Sequence, residues 1–148
     1  MVGQVKRGFT LIELAVTLLV ISVAVGISAP SIARGLDALR TRAEAAGVAT
    51  FLRAAREQAI THSRSYEVRV KAEEGVIELR TGDAVRSTRR MASGVHIAAD
   101  PPSAPVVTFL PKGVTSGGRL RVEMPGRRGY LITLDALTGR VSTQRLEL

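Results

Sequence analysis

One acid stands inside a long apolar run, and it is the residue whose placement says most about chemistry. Glu13 lies in the stretch Lys6 to Arg34, where Lys6 and Arg7 precede 20 consecutive uncharged residues from Leu14 to Ala33. A charge costs about 2.5 to 3.5 kcal/mol at the centre of a membrane helix and persists where it has a partner. Glu13 is therefore a candidate for ion pairing outside its own segment. The plainer reading puts it near the segment's end, where a side chain reaches headgroup water. His62 and His96 are the only histidines, fall on different expected elements and show no ligand spacing, so both read as surface or packing residues. Ser, His and Asp all occur, but a catalytic triad is a geometry that their presence does not supply. No nucleophile-elbow or phosphate-loop pattern is present, and neither an enzymatic role nor a cofactor or metal is expected.

Arginine supplies the other chemistry. The formal charge is +8, with 18 Arg and 3 Lys, and a basic surface invites anionic partners. Arg86, Arg89 and Arg90, Arg119 and Arg121, Arg127 and Arg128, and Arg140 with Arg145 near the tail are candidate phosphate ligands. Against them, the arginines are scattered rather than run together, which suits ordinary solvated faces and a coding bias toward Arg. The tail also carries Glu147, and Phe51, Phe109, Tyr66 and Tyr130 are the aromatics left to stack on bases, with Phe51 and Phe109 expected in the core. The expectation is weak DNA binding through backbone phosphates, lost as salt rises.

These residues need elements to hold them. About 20 apolar residues in helical form can cross a bilayer core, so the run after Glu13 is long enough for a transmembrane helix. A cleaved secretory signal is the rival reading; its core should be shorter, and this run keeps Leu, Ile and Val as far as Ile27. Basic residues flank both ends, Lys6 and Arg7 on one side and Arg34, Arg40 and Arg42 on the other, so counting them does not orient the segment. From Ser31 to about Thr61 helix formers continue, and Ala45, Val48, Ala49, Leu52, Ala55 and Ala59 recur on one face. Arg56 falls inside that face, which predicts that the helix leaves the core there or pairs Arg56 with an acid. A single helix from Phe9 to Thr61 would approach 80 Å at about 1.5 Å per residue, and half of it would have to project.

After Ser63 the period changes. Tyr66, Val68 and Val70 alternate with Glu67, Arg69 and Lys71, and further short strands are expected at Val76 to Arg80, Val85 to Met91, Val95 to Ile97, Val106 to Leu110, Arg119 to Glu123, Tyr130 to Leu134 and Arg140 to Thr143. Glycines and the prolines of Asp100 to Pro105 mark the turns between them. The chain has no Cys, so no disulfide supports this part. The fold class is α+β, a long N-terminal hydrophobic α-helix followed by a small antiparallel β-sandwich-like globular domain.

Gly8-Phe9-Thr10-Leu11-Ile12-Glu13, after Lys6-Arg7 and before the apolar run, resembles the class III signal of type IV pilins and type II secretion pseudopilins. Ala55-Arg56 with Ala59-Ile60, Phe109-Leu110-Pro111-Lys112-Gly113 before Gly117-Gly118, and Thr138-Gly139-Arg140-Val141 extend the likeness to the GspH/FimT group of minor pseudopilins and pilins. The resemblance implies that a prepilin peptidase cuts between Gly8 and Phe9 and methylates the amine of Phe9. Gly8, without Cβ, admits a protease closely, or simply makes a turn before the helix. The resemblance also implies that Glu13 pairs with the N-terminal amine of a neighbouring subunit, and that Pro30 kinks the helix.

The implied division is residues 1–8 as leader, 9–33 as a transmembrane and assembly helix, 34–62 as its amphipathic continuation and 63–148 as a β-rich periplasmic domain. Implied partners are other pseudopilin or minor pilin subunits, the prepilin peptidase and an inner-membrane assembly platform. Cleavage in the cytoplasm implies a single-pass inner-membrane protein with everything after Ile32 outside, assembled into a periplasmic pseudopilus. The expected role is a minor pseudopilin at or near the tip of that filament. The alternative is a FimT-like minor pilin that binds DNA during uptake; there the family pattern has a second Arg two places after Gly-Arg, a place that holds Ser142 here.

Overall fold

The computed structural model describes residues 9–126 and 129–146, side chains of 28–34 excepted. The leader 1–8 with Gly8, the pair Arg127 and Arg128, and Glu147 lie outside the described residues. The longest element is helix α1, Leu11–Thr61, of 51 residues. The chain divides into two compact units, one ending at Leu36 and the other beginning at Asp37.

In the first unit the helix backbone runs on through Pro30. From Leu11 to Ile27 its described side chains are exposed. Leu18, Leu19, Val20 and Ile21 are consecutive and all exposed, and four successive residues at about 100° each go once round a helix. Among the described residues no helix is long and apolar enough to cross a membrane. This corrects two expectations: a transmembrane span within 9–33, and a single-pass inner-membrane location. Polar groups interrupt the described part of the apolar run: Glu13, Thr17 and Ser22 lie within it, the two hydroxyls donating back to the carbonyls of Glu13 at 2.6 Å and Leu18 at 2.7 Å.

The second unit holds the rest of α1 and eight strands: β1 Tyr66–Lys71, β2 Val76–Thr81, β3 Ala84–Arg90, β4 His96–Ala99, β5 Val106–Phe109, β6 Gly118–Glu123, β7 Tyr130–Leu134 and β8 Val141–Arg145. They form two four-stranded sheets in the orders β3-β2-β1-β5 and β4-β6-β7-β8, antiparallel throughout. This is a pilin-like α+β arrangement, and each expected strand appears within a few residues of its sequence position.

Alternation explains the packing. Tyr66, Val68 and Val70 turn inward from β1, Leu120 and Val122 from β6, and Ile132 and Leu134 from β7. They meet the expected helix face, in which Val48, Leu52, Ala55 and Ala59 are completely buried. Small side chains on α1 let the sheets approach closely, and Phe109 is completely buried in the same core. Phe51 is only partly buried, at the margin of this core.

The helix stops in a Schellman arrangement. Arg64 N–H donates to Ala59 O and Ser63 N–H to Ile60 O, both at 3.2 Å, with Ser63 in the left-handed region at φ 49°. Glycine is the usual residue there; serine holds the turn at a cost of about 1 kcal/mol.

Candidate functional site

Two places carry charge where it can act. The first is the start of α1. Thr10 precedes the helix, its carbonyl accepts the first helical bond from Leu14 N–H at 3.2 Å, and its hydroxyl accepts from Glu13 N–H at 3.3 Å. Thr10-x-x-Glu13 is the spacing of a capping box, which places Glu13 in the first turn beside the positive end of the helix dipole. That spacing is a sequence signal for the helix start that the resemblance to a processing motif overshadows. Glu13 is exposed and makes no ion pair among the described residues. Phe9, immediately before the cap, is 80% exposed. This end of the chain presents an unpaired carboxylate among apolar side chains, which is a surface suited to another polypeptide rather than to water.

The second place is the seam between α1 and β8 in the globular unit. Arg56, whose position inside the apolar face predicted an acid partner or an exit from the core, has neither. Its Nε donates to Gly113 O at 2.9 Å and its Nη2 to Thr138 O at 3.1 Å. Backbone carbonyls of two loops take the place of the acid. Arg53, three residues earlier, donates from Nη2 to Val141 O at 3.4 Å. Beside them runs a groove of about 570 Å³ lined by Arg53, Arg56, Glu57, Ile60 and Arg140 among others. A neighbouring cavity of about 380 Å³ is lined by Arg42, Thr50, Arg53, Tyr130 and Thr143 among others.

The other candidate arginines separate into two groups. Arg89 reaches from β3 to Glu44 on α1 at 2.9 Å, and Arg119 and Arg121 flank Asp100 at 3.7 and 4.0 Å. Arg90 donates to Glu74 O at 3.2 Å. These side chains already have protein partners. Arg140 and Arg145 make no ion pair among the described residues, but Arg140 precedes β8 and Arg145 ends it, about 16 Å apart at strand rise. The structure therefore does not gather the candidate phosphate ligands into one patch.

The histidines remain apart. His62 Nδ1 is 3.0 Å from Gln58 O at the end of α1, with its ring tilted toward Tyr66 at 6.2 Å between centroids, whereas His96 opens β4. Among the described residues no group of three His, Cys, Asp or Glu side chains could hold a metal ion.

Comparison with known proteins fits this geometry. The profile of the family described as type II transport protein GspH matches residues 44–138, and that of the prokaryotic N-terminal methylation motif matches residues 4–29. The fold is similar to that of the minor pseudopilin EpsH from the type 2 secretion system of Vibrio cholerae, with a TM-score of 0.60 and 12% identity over 71% of this chain and 96% of that one. It is equally similar to the type IV minor pilin FimU of Pseudomonas aeruginosa, with a TM-score of 0.60 and 13% identity over 70% and 87% of the two chains. A second EpsH crystal structure gives 0.58 and 13% over 70% and 92%. Identities this low establish the shared fold. No curated protein matches the chain.

Proposed function

The chain belongs to the GspH family of type II transport proteins, and on that premise we propose that it is a minor pseudopilin at or near the tip of a type II secretion pseudopilus. A structural subunit needs a surface that is incomplete alone. The observation that carries the reading is the helix of the first unit, whose described side chains from Leu11 to Ile27 are mostly apolar and exposed on every side, with one acid in the opening turn that has no ion pair among the described residues. A helix that is hydrophobic all round is stable only when buried, and a bundle of like helices in a filament would bury it.

In this reading the prepilin peptidase cuts between Gly8 and Phe9 and methylates the new amine. Glu13 then meets that amine on the adjacent subunit, so each charge gains its counter-ion only on joining. Pro30, lacking a backbone N–H, bends the helix to fit its neighbours. Partners are the other pseudopilin subunits, the peptidase and the assembly platform.

The test compares Glu13→Ala with the unaltered chain for cellular level and for crosslinking to the other filament subunits. Equal levels with at least a tenfold loss of crosslinking are expected. Unchanged crosslinking would remove Glu13 from assembly.

A second reading, a type IV minor pilin that binds DNA, draws on Arg140 and Arg145, which have no acid partner among the described residues. With Arg127 and Arg128 they would contact phosphates; binding that reflects a basic surface alone should vanish between low and physiological salt. Retention at physiological salt, with loss on Arg140→Ala and Arg145→Ala, would favour this reading over secretion.

A further inference from the structure

Strand β8 is an edge whose outer side is partly open, and the register shows which atoms it offers. Asp135 N–H donates to Arg140 O at 3.0 Å, and Leu146 N–H to Gly129 O at 2.9 Å. Between these bonds, Thr133 pairs with Ser142 and Leu131 with Gln144. Bonded and non-bonded pairs alternate in an antiparallel ladder. Residues 140, 142, 144 and 146 therefore spend their backbone groups on β7, while Val141, Thr143 and Arg145 turn theirs away from it. The bond from Arg53 to Val141 O confirms the direction independently, since that oxygen points to α1. The N–H and C=O groups of Thr143 and Arg145 are left without a protein partner among the described residues.

The space that these groups face is built, basic and partly apolar. The groove beside Val141 and the cavity beside Thr143 share Arg53 and together follow the seam from Ile60 to Arg42. Arg42, Arg53 and Arg140 line it, and Arg145 shares the strand face of Thr143 by the period of two. None of these four arginines has an ion pair among the described residues, and Glu57 is the one acid lining either cavity.

We propose that the open edge of β8 and the arginine-lined seam beside it bind an extended, acidic segment of a partner polypeptide as an added strand. Backbone groups of the segment pair with Thr143 and Arg145, which supplies affinity without sequence demands, and alternate side chains enter the seam, which supplies selection. Acidic residues at every second position would place their carboxylates among Arg42, Arg53 and Arg145. Ile60 and Val141 give the segment's apolar atoms a floor at the groove end. A nucleic acid would meet the arginines but could not match donors and acceptors at strand spacing. The proposal stands on residues 37–148 and does not depend on the filament role.

The test uses the full chain in detergent micelles and a labelled peptide, acetyl-Thr-Glu-Val-Glu-Val-Glu-Thr-amide. Its controls are the same peptide N-methylated at alternate residues, a version with Lys for Glu, and a 20-base-pair DNA duplex. Binding of the acidic peptide should slow amide exchange at Thr143 and Arg145 and weaken at least tenfold on N-methylation or with Lys for Glu. Thr143→Pro should weaken it at least tenfold while leaving the thermal midpoint unchanged, because that N–H takes no part in pairing with β7 and proline is tolerated on an edge. If Thr143→Pro disturbs the fold, Arg145→Glu on the exposed strand end provides the same comparison. Equal binding of the N-methylated peptide, absent protection at the two amides, or DNA binding more tightly and displacing the peptide would each overturn the proposal.

Discussion

Arg56 Nε donates to the carbonyl oxygen of Gly113 at 2.9 Å, and its Nη2 reaches Thr138 O at 3.1 Å. One side chain of α1 thereby joins the β5–β6 and β7–β8 loops. Gly113 and Gly139 adopt φ of 82° and 65°, and a Cβ at Gly139 would overlap both Gly113 O and the Arg56 side chain. Three scattered sequence features, Ala55-Arg56, Lys112-Gly113 and Thr138-Gly139, thus become one contact. Arg56→Ala should lower stability by about 2–3 kcal/mol, since hydrogen bonds to charged groups contribute about 1.5–3 kcal/mol each and these are partly solvated. Arg56→Lys should recover less than half, because an ammonium cannot fork to two carbonyls. Urea unfolding of the three proteins checks this, and equal midpoints would dismiss the contact as incidental.

Gly47 gives a change of sign. Alanine in place of glycine inside a helix ordinarily gains about 1 kcal/mol. Here a Cβ at Gly47 would collide with the guanidinium of Arg89, which is held there by Glu44 at 2.9 Å. Gly47→Ala should therefore lose about 1–2 kcal/mol by displacing that ion pair. With Arg89→Ala already present, the same substitution should gain about 1 kcal/mol. A double-mutant cycle in urea reads the reversal; a gain in both backgrounds would mean that Arg89 moves aside freely.

Acid should loosen the globular unit through two carboxylates. The Thr138 backbone N–H, then its hydroxyl and the Leu137 N–H, hold Asp135 below its ordinary 3.8. The Lys71 ammonium, bonded at 2.7 Å, lowers Glu78 below 4.5 against the opposing effect of burial. Both folded values lie below the unfolded ones, so their contribution is complete above those ordinary values and disappears as pH falls through the depressed ones. Lys71 is raised above 10.5, chiefly by the same bond to Glu78, so its contribution is intact below 10.5 and lost as pH climbs through the raised value. Unfolding midpoints against pH should be flat in the middle and fall at both ends. Glu78→Gln should flatten the alkaline fall and part of the acid one, and Asp135→Asn the remainder of the acid one.

Processing gives a prediction outside the described residues. In cells with an active prepilin peptidase, mass analysis should find the chain without Met1 to Gly8 and with one added methyl on Phe9. A bulky residue at Gly8 should leave the leader attached. An intact leader on the unaltered chain, or cleavage after Ala29 or Ala33, would contradict the processing role of Gly8 and Phe9.

The amino-acid order by itself determined what depends on local period. Alternation in Tyr66, Val68 and Val70 needs only the two-residue repeat of a strand, and Ala45, Val48, Leu52 and Ala59 need only the turn of a helix, so these inward faces were legible before any contact was known. The family motif around Glu13 was legible for the same reason, being contiguous. Tertiary structure decided what depends on residues distant in sequence. Nothing near Arg56 in the chain shows that carbonyls at 113 and 138 would replace an acid, and nothing near Arg89, Arg119 or Arg121 shows that Glu44 and Asp100 neutralise them. The membrane span is the expectation that fails: it came from a count of uncharged residues, and among the described residues no helix is long and apolar enough to cross a membrane. The open edge of β8 belongs to tertiary structure as well, because which strand ends a sheet, and which carbonyls turn outward, is set by the pairing order and not by the strand's own residues.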